Sequence, residues 1–164
     1  MSEVWQRHIT DSVQILALGR TNARWLDIGS GGGLPGIVIG CFLADIKGAH
    51  IDLVESNGKK AAFLRFVAGE LNLPATIHAA RIEAVVETLP QPDFVTARAL
   101  APLGDLMGFT NLLLKRGATA LFPKGRGFEE ELTQAQQSWH FCCRYHKSLT
   151  DRGAQILEIT MPQP

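Results

Sequence analysis

The chain has 164 residues, no net formal charge, 46% hydrophobic and 20% charged residues and a pI near 7.0. These values fit one soluble globular domain, residues 1–164, with a core of its own, and they exclude a body that is basic throughout, leaving a confined patch for any nucleic-acid contact. Cys41, Cys142 and Cys143 are too few and odd in number for a disulfide scaffold, and no stretch nears the ~18 apolar residues of a membrane span or forms a signal peptide, so the expected location is the cytoplasm.

Along the chain, strand-like and helix-like segments alternate. Residues 1–20 read as a helical lead-in, in which "TDSVQILALG" (10–19) forms a helix capped by Asp11, with Gln14 three residues on and Gly19 ending it. "ARWLDIG" (23–29) is a short buried strand, and "PGIVIGCFLA" (35–44) a helix with Pro35 in its first turn. "HIDLVES" (50–56) is the second strand. "KKAAFLRFVAGELNL" (59–73) follows as a helix with Phe63, Val67 and Leu71 on one stripe.

"ATIHAA" (75–80) is the third strand, "RIEAVVETL" (81–89) a short helix, and "DFVTARA" (93–99) the fourth strand. "PLGDLMGFTNLLLK" (102–115) is a helix and "GATALFP" (117–123) the fifth strand. "KGRG" (124–127) reads as a loop, and "FEEELTQAQQ" (128–137) as a helix with acids in the first turn, where the macrodipole favours them. "HFCCRYHKSL" and "AQILEITM", joined by "TDRG", make a terminal hairpin. The fold class is therefore α/β: a doubly wound, mostly parallel sheet with helices on both faces and a C-terminal antiparallel hairpin. Ligands of such sheets lie at the C-terminal ends of the strands.

"HFCCRYH" contains metal-ligating residue types, but adjacent cysteines in a strand point to opposite faces. His8, His50 and His78 lie on separate elements. No metal is expected.

The stretch most specific to function is "RWLDIGSGGGLPG" (24–36). Read one way, Gly31, Gly33 and Gly36 satisfy G-x-G-x-x-G, with Glu55 as a ribose-binding acid, the pattern of a dinucleotide site. Read another way, "DIGSGGG" puts Asp27 before Gly29, Gly31 and Gly33 and resembles the first motif of S-adenosylmethionine-dependent methyltransferases. There the glycines let the backbone pass under the cofactor, and Asp27 helps hold its ammonium group. Pro35 removes an N–H that a pyrophosphate would use, which favours the second reading, as does the terminal hairpin. Glu55 suits a ribose under either cofactor. "RIE" can flank an adenine through Ile82 and Glu83.

With "RHITDS" (7–12), "WLDIGSGGGLPGI" (25–37), "LVESNGKKAAFLR" (53–65), "RIE" (81–83), "ARALAPL" (97–103) and "PKG" (123–125) in order, the chain resembles the bacterial small-subunit rRNA guanine-N7 methyltransferases, the glucose-inhibited division protein B (RsmG) family. The resemblance implies methyl transfer from S-adenosylmethionine to N7 of the guanine at position 527 in the 530-loop region of 16S rRNA. It implies Gly29 and Leu34 as cofactor contacts, Glu55 at the ribose, Ile82 and Glu83 on the adenine side, and Arg98 beside cofactor or target. Guanine N7 has a free lone pair, so no general base is named. Arg7, His8, Arg98, Lys124 and Arg126 are candidate RNA contacts, and the expected partner is 16S rRNA, within the small subunit, bound by a monomer. Family members carry a helical segment ahead of "RH..DS", and this chain starts almost on that motif. Rival readings are a small-molecule methyltransferase with a closed apolar target pocket, a non-catalytic cofactor- or RNA-binding module, and a dinucleotide oxidoreductase.

Overall fold

A computed structural model describes residues 5–162. A π-helical turn, Trp5–Thr10, leads into α1 (Asp11–Leu18). There follow β1 (Arg24–Ile28), α2 (Gly36–Leu43), β2 (His50–Val54), α3 (Gly58–Glu70), β3 (Ala75–His78), α4 (Ile82–Val85) and β4 (Phe94–Thr96). The chain continues with α5 (Leu103–Lys115), β5 (Thr119–Lys124), α6 (Phe128–Ser138), β6 (Cys142–Lys147) and β7 (Gln155–Thr160). The sheet order is β3-β2-β1-β4-β5-β7-β6. β1 to β5 run parallel, and β7 pairs antiparallel with both β5 and β6. The doubly wound architecture and the terminal hairpin are as the sequence leads one to expect.

Because side chains alternate along a strand, the sheet feeds two cores. Trp25, Ile51 and Leu53 pack with Ile15, Ile39, Leu43 and Leu64, so α1, α2 and α3 cover one face. Leu26, Ile28, Val95 and Phe122 pack with Ile82, Leu103, Met107 and Phe128, so α4, α5 and α6 cover the other. Near-continuous burial of strands such as β1 and β2 is what a parallel sheet covered on both faces requires.

Local details differ from expectation. Asp11 does not cap α1, because the backbone is already helical before it: Thr10 has φ −62° and ψ −39°. Its carboxylate instead accepts hydrogen bonds from the Gln14 side chain and the Thr150 hydroxyl. The buried stripe of α3 is Ala61, Leu64 and Ala68, not Phe63, Val67 and Leu71. Both sets have helical spacing, and contact with neighbouring elements chose the first: the glycine loop lies directly against Leu64. Phe63 and Leu71 are about half exposed. β4 is shorter than expected, and residues 97–102 form a loop.

His50 and His78 sit on neighbouring strands and converge on Asp52, with Nε2 at 3.9 and 2.8 Å from its Oδ1. Arg24 holds the other oxygen at 2.9 Å. Among the described residues no group of three or more His, Cys, Asp or Glu could hold a metal ion, and no helix is long and apolar enough to cross a membrane.

Candidate active site

The strands β1 and β2 end side by side, Ile28 opposite Val54, and the loops leaving them build the first half of the site. Asp27 is 1% exposed. Its Oδ2 accepts from the Gly36 N–H at 3.2 Å at the start of α2, while Oδ1 has no hydrogen-bond partner. Burial, the largest influence, pushes its carboxyl up to about 7, against the lowering effect of the neighbouring Ser30 hydroxyl and the Gly36 N–H.

Two loop glycines are sterically required, for different reasons. Gly29 has φ +66°, and a Cβ there would come within 2.5 Å of Leu100 Cδ1. Gly33 has φ +94°, and a Cβ would press on Ile37 and Leu64. Gly33 therefore serves the packing of the loop on α2 and α3, whereas Gly29 opens toward the loop after β4. Glu55 ties the first two loops together: Oε2 accepts from the Gly31 N–H at 2.8 Å and Oε1 from the Asn57 N–H at 2.7 Å. Each oxygen keeps a further lone pair.

Gly29, Ile82 and Glu83 meet in a cavity of about 110 Å³, together with Ser56, Arg81 and Leu100. Asp27, Gly31, Gly33, Leu34 and Glu55 do not line it; they shape the loop behind it.

A larger cavity of about 540 Å³ lies beyond, at the ends of β4 and β5 and the start of β7. Arg98, Leu100, Pro102, Lys124, Asp151 and Ile156 contribute to its walls. Leu100 lines both cavities. One wall joins α1 to the turn between β6 and β7. Gln14 Nε2 donates to Asp11 at 3.0 Å and to Ser148 at 3.3 Å, and its Oε1 accepts from the Leu149 N–H at 2.9 Å. Arg98 Nη2 lies 3.8 Å from Asp11 Oδ2.

Lys124 requires a correction. It is the last residue of β5, not part of a loop, and its side chain is only 10% exposed. Its ammonium donates to Glu131 at 2.7 Å and to the Ala101 carbonyl at 2.9 Å. Arg126 is exposed and lies against Gly153 in the hairpin turn. His8 is half-buried, its Nδ1 without a hydrogen-bond partner, and the side chain of Arg7 falls outside the described residues.

Sequence reading missed Leu100, Gln14, Thr150 and Glu131. The signals available were slight: a leucine between alanines in a strand-end loop, polar residues on two helices that otherwise read as amphipathic, and a threonine in the hairpin turn.

A seven-stranded sheet with a reversed β7, a glycine loop after β1 and an acid after β2 is the plan of S-adenosylmethionine-dependent methyltransferases. A SAM-dependent methyltransferase from Aquifex aeolicus superposes with a TM-score of 0.72 at 13% identity, over 97% of this chain and 93% of that one. A ribosomal protein L11 methylase from Lactobacillus delbrueckii subsp. bulgaricus gives 0.72 at 16% identity, over 94% and 77%. At this identity the likeness concerns the fold. Residues 1–160 match the GidB family, rRNA small subunit methyltransferase G. Ribosomal RNA small subunit methyltransferase G of Brucella anthropi is 53% identical over 160 residues, covering 98% of this chain and 75% of that protein. Its Brucella ovis counterpart is 52% identical over the same shares. The chain belongs to this family.

Proposed function

We propose that this chain, acting as one domain and as a cytoplasmic monomer, transfers the methyl group of S-adenosylmethionine to N7 of the guanine at position 527 of 16S rRNA, within the small ribosomal subunit. The observation that carries the reading is the pair of adjoining cavities, one against Gly29, Ile82 and Glu83 and one at the ends of β4 and β5, with Leu100 between them. Methyl transfer needs such a neighbourhood, because donor and acceptor must meet in line.

The residues present fit the cofactor. Asp27 Oδ1 is a buried acceptor without a partner, suited to an ammonium directly or through water. Gly29, with no Cβ of its own, lines the smaller cavity beside Leu100. Glu55 has lone pairs left for ribose hydroxyls, and Ile82 and Glu83 flank the adenine. Gly31, Gly33 and Leu34 hold the loop in shape. When bound, S-adenosylmethionine supplies an electrophilic methyl group. The chain's own residues align the acceptor: guanine N7 has a lone pair and no proton to lose, so no side chain acts as a base, and proximity supplies most of the rate. Arg98, on the wall of the larger cavity, is assigned to the side of the target guanine. Arg126, with Arg7 and His8, is assigned to RNA contacts.

The larger cavity carries charged side chains of both signs, Asp11, Arg98, Lys124, Glu131 and Asp151, among its apolar ones, which favours a nucleotide over the closed apolar pocket of a small-molecule enzyme. The test uses small subunits from cells lacking the modification, incubated with protein and S-adenosylmethionine and mapped by borohydride-and-aniline scission. One new cut in the 530 loop is expected. No cut, with cofactor binding intact by calorimetry, refutes the substrate.

A further inference from the structure

Lys124 and Glu131 lie outside every role assigned above, yet both reach the same short piece of backbone. Lys124 Nζ donates to the Ala101 carbonyl at 2.9 Å. Glu131 Oε2 accepts from the Leu103 N–H at 2.9 Å. The two side chains pair at 2.7 Å. Between the two gripped residues stands Pro102, which has no N–H of its own, so the pair engages a backbone polar group on each side of it. Two residues before Ala101, Ala99 has φ +51°, a left-handed conformation unfavourable for a residue with a Cβ. Between Ala99 and Ala101 is Leu100, whose side chain rests over Gly29. With Lys124 10% and Glu131 36% exposed, the ion pair is partly withdrawn from water and adds little net stability of its own. A strained loop persists only where its surroundings hold it.

We infer that Lys124 and Glu131 are positioning residues: together they clamp the 97–102 loop, at Ala101 and at the Leu103 amide that opens α5, so that Leu100 stays against Gly29 and Arg98 stays on the wall of the target cavity. The clamp fixes how donor and acceptor sites face each other. The inference rests on the methyltransferase reading for its consequence, though not for its geometry.

The test compares K124A, E131Q and the double variant K124M/E131M in the full chain. Hydrogen exchange, read without cofactor or RNA, is expected to quicken at least tenfold at the Leu103 amide, which Glu131 holds, in every variant, with β1 and β2 unchanged. In turnover on small subunits, kcat is expected to fall at least tenfold for both single variants. The cofactor Kd should stay within threefold and the salt dependence of subunit binding should not change. Because the two residues act as one unit, the double variant should be no worse than either single. The phosphate reading of Lys124 gives the opposite pattern: K124A raises KM and lowers the salt slope by about one, while E131Q keeps full kcat. That pattern, or unchanged exchange in the loop, overturns the clamp. Should K124A fail to fold, E131Q, nearly identical in shape, decides alone. If the wild-type protein transfers no methyl group, the methyltransferase reading fails, and the exchange data still decide whether the clamp exists.

Discussion

The two halves of the site are built from different material. Over β1 and β2 the chain works with backbone and short-range contacts: the glycine loop, Asp27 at the head of α2, and Glu55 gripping Gly31 over a separation of 24 residues. Over β4, β5 and β7 it works with side chains brought from the two ends of the sequence. Gln14 meets Ser148 across 134 residues, and Asp11 meets Thr150 across 139. The first half depends on loops that fold with their own strands. The second exists only after α1 has docked on the terminal hairpin.

That contrast can be broken by substitutions that strike one half and spare the other. The largest effect expected is on stability, at Asp27. Its carboxyl is raised by burial from 3.8 to about 7, so between those pH values the folded protein holds a proton that the unfolded chain has lost. The associated stability is complete below pH ~4, falls as pH rises and is gone above pH ~7. D27N removes this dependence. The wild type is expected to lose on the order of 4 kcal/mol relative to the variant between pH 4 and 8, read by urea melts across that range. A flat difference would show that Asp27 does not carry a buried proton.

Next is Gly29→Ala, which combines a positive φ with a clash on Leu100. Cofactor affinity by calorimetry is expected to fall ~100-fold, about 2.7 kcal/mol. An affinity within threefold of wild type would mean that the loop yields.

In the other half, Gln14→Ala removes the Gln14 bonds from α1 to Ser148 and Leu149 of the hairpin turn, leaving only the Asp11–Thr150 bond among those described. An approximately tenfold fall in kcat/KM is expected, from about 1.4 kcal/mol of lost positioning, with cofactor Kd unchanged. A matching loss of cofactor affinity would show the halves to be one cooperative unit. The smallest effect is at Arg126. R126A should weaken subunit binding a few-fold and lower the salt slope by roughly one, without touching kcat.

How far the sequence carried can be judged element by element. The placement of Gly29, Glu55, Ile82 and Glu83 was legible because Gly29 and Glu55 directly follow β1 and β2, Ile82 and Glu83 open α4 after β3, and the parallel topology puts all such ends on one edge. The α3 stripe was not legible, because Phe63/Val67/Leu71 and Ala61/Leu64/Ala68 are equally helical. The packing of Leu64 against Gly33 and the core with Ile39, Ile51 and Leu53 selects between them. Lys124 read as a loop cation after Pro123, but β5 extends through it because its pairing with Gln155 of β7 continues the ladder.

By itself, then, the sequence determined the alternation of strands and helices, the glycine loop and the acid that serves it. All of these are set by periodicity and by backbone conformations that only certain residues tolerate. The tertiary structure alone decided that Lys124 and Glu131 grip the 97–102 loop, that Leu100 stands between the two cavities, and that α1 closes on the hairpin. Those contacts join residues far apart along the chain, and no local preference records which distant partner a side chain will meet.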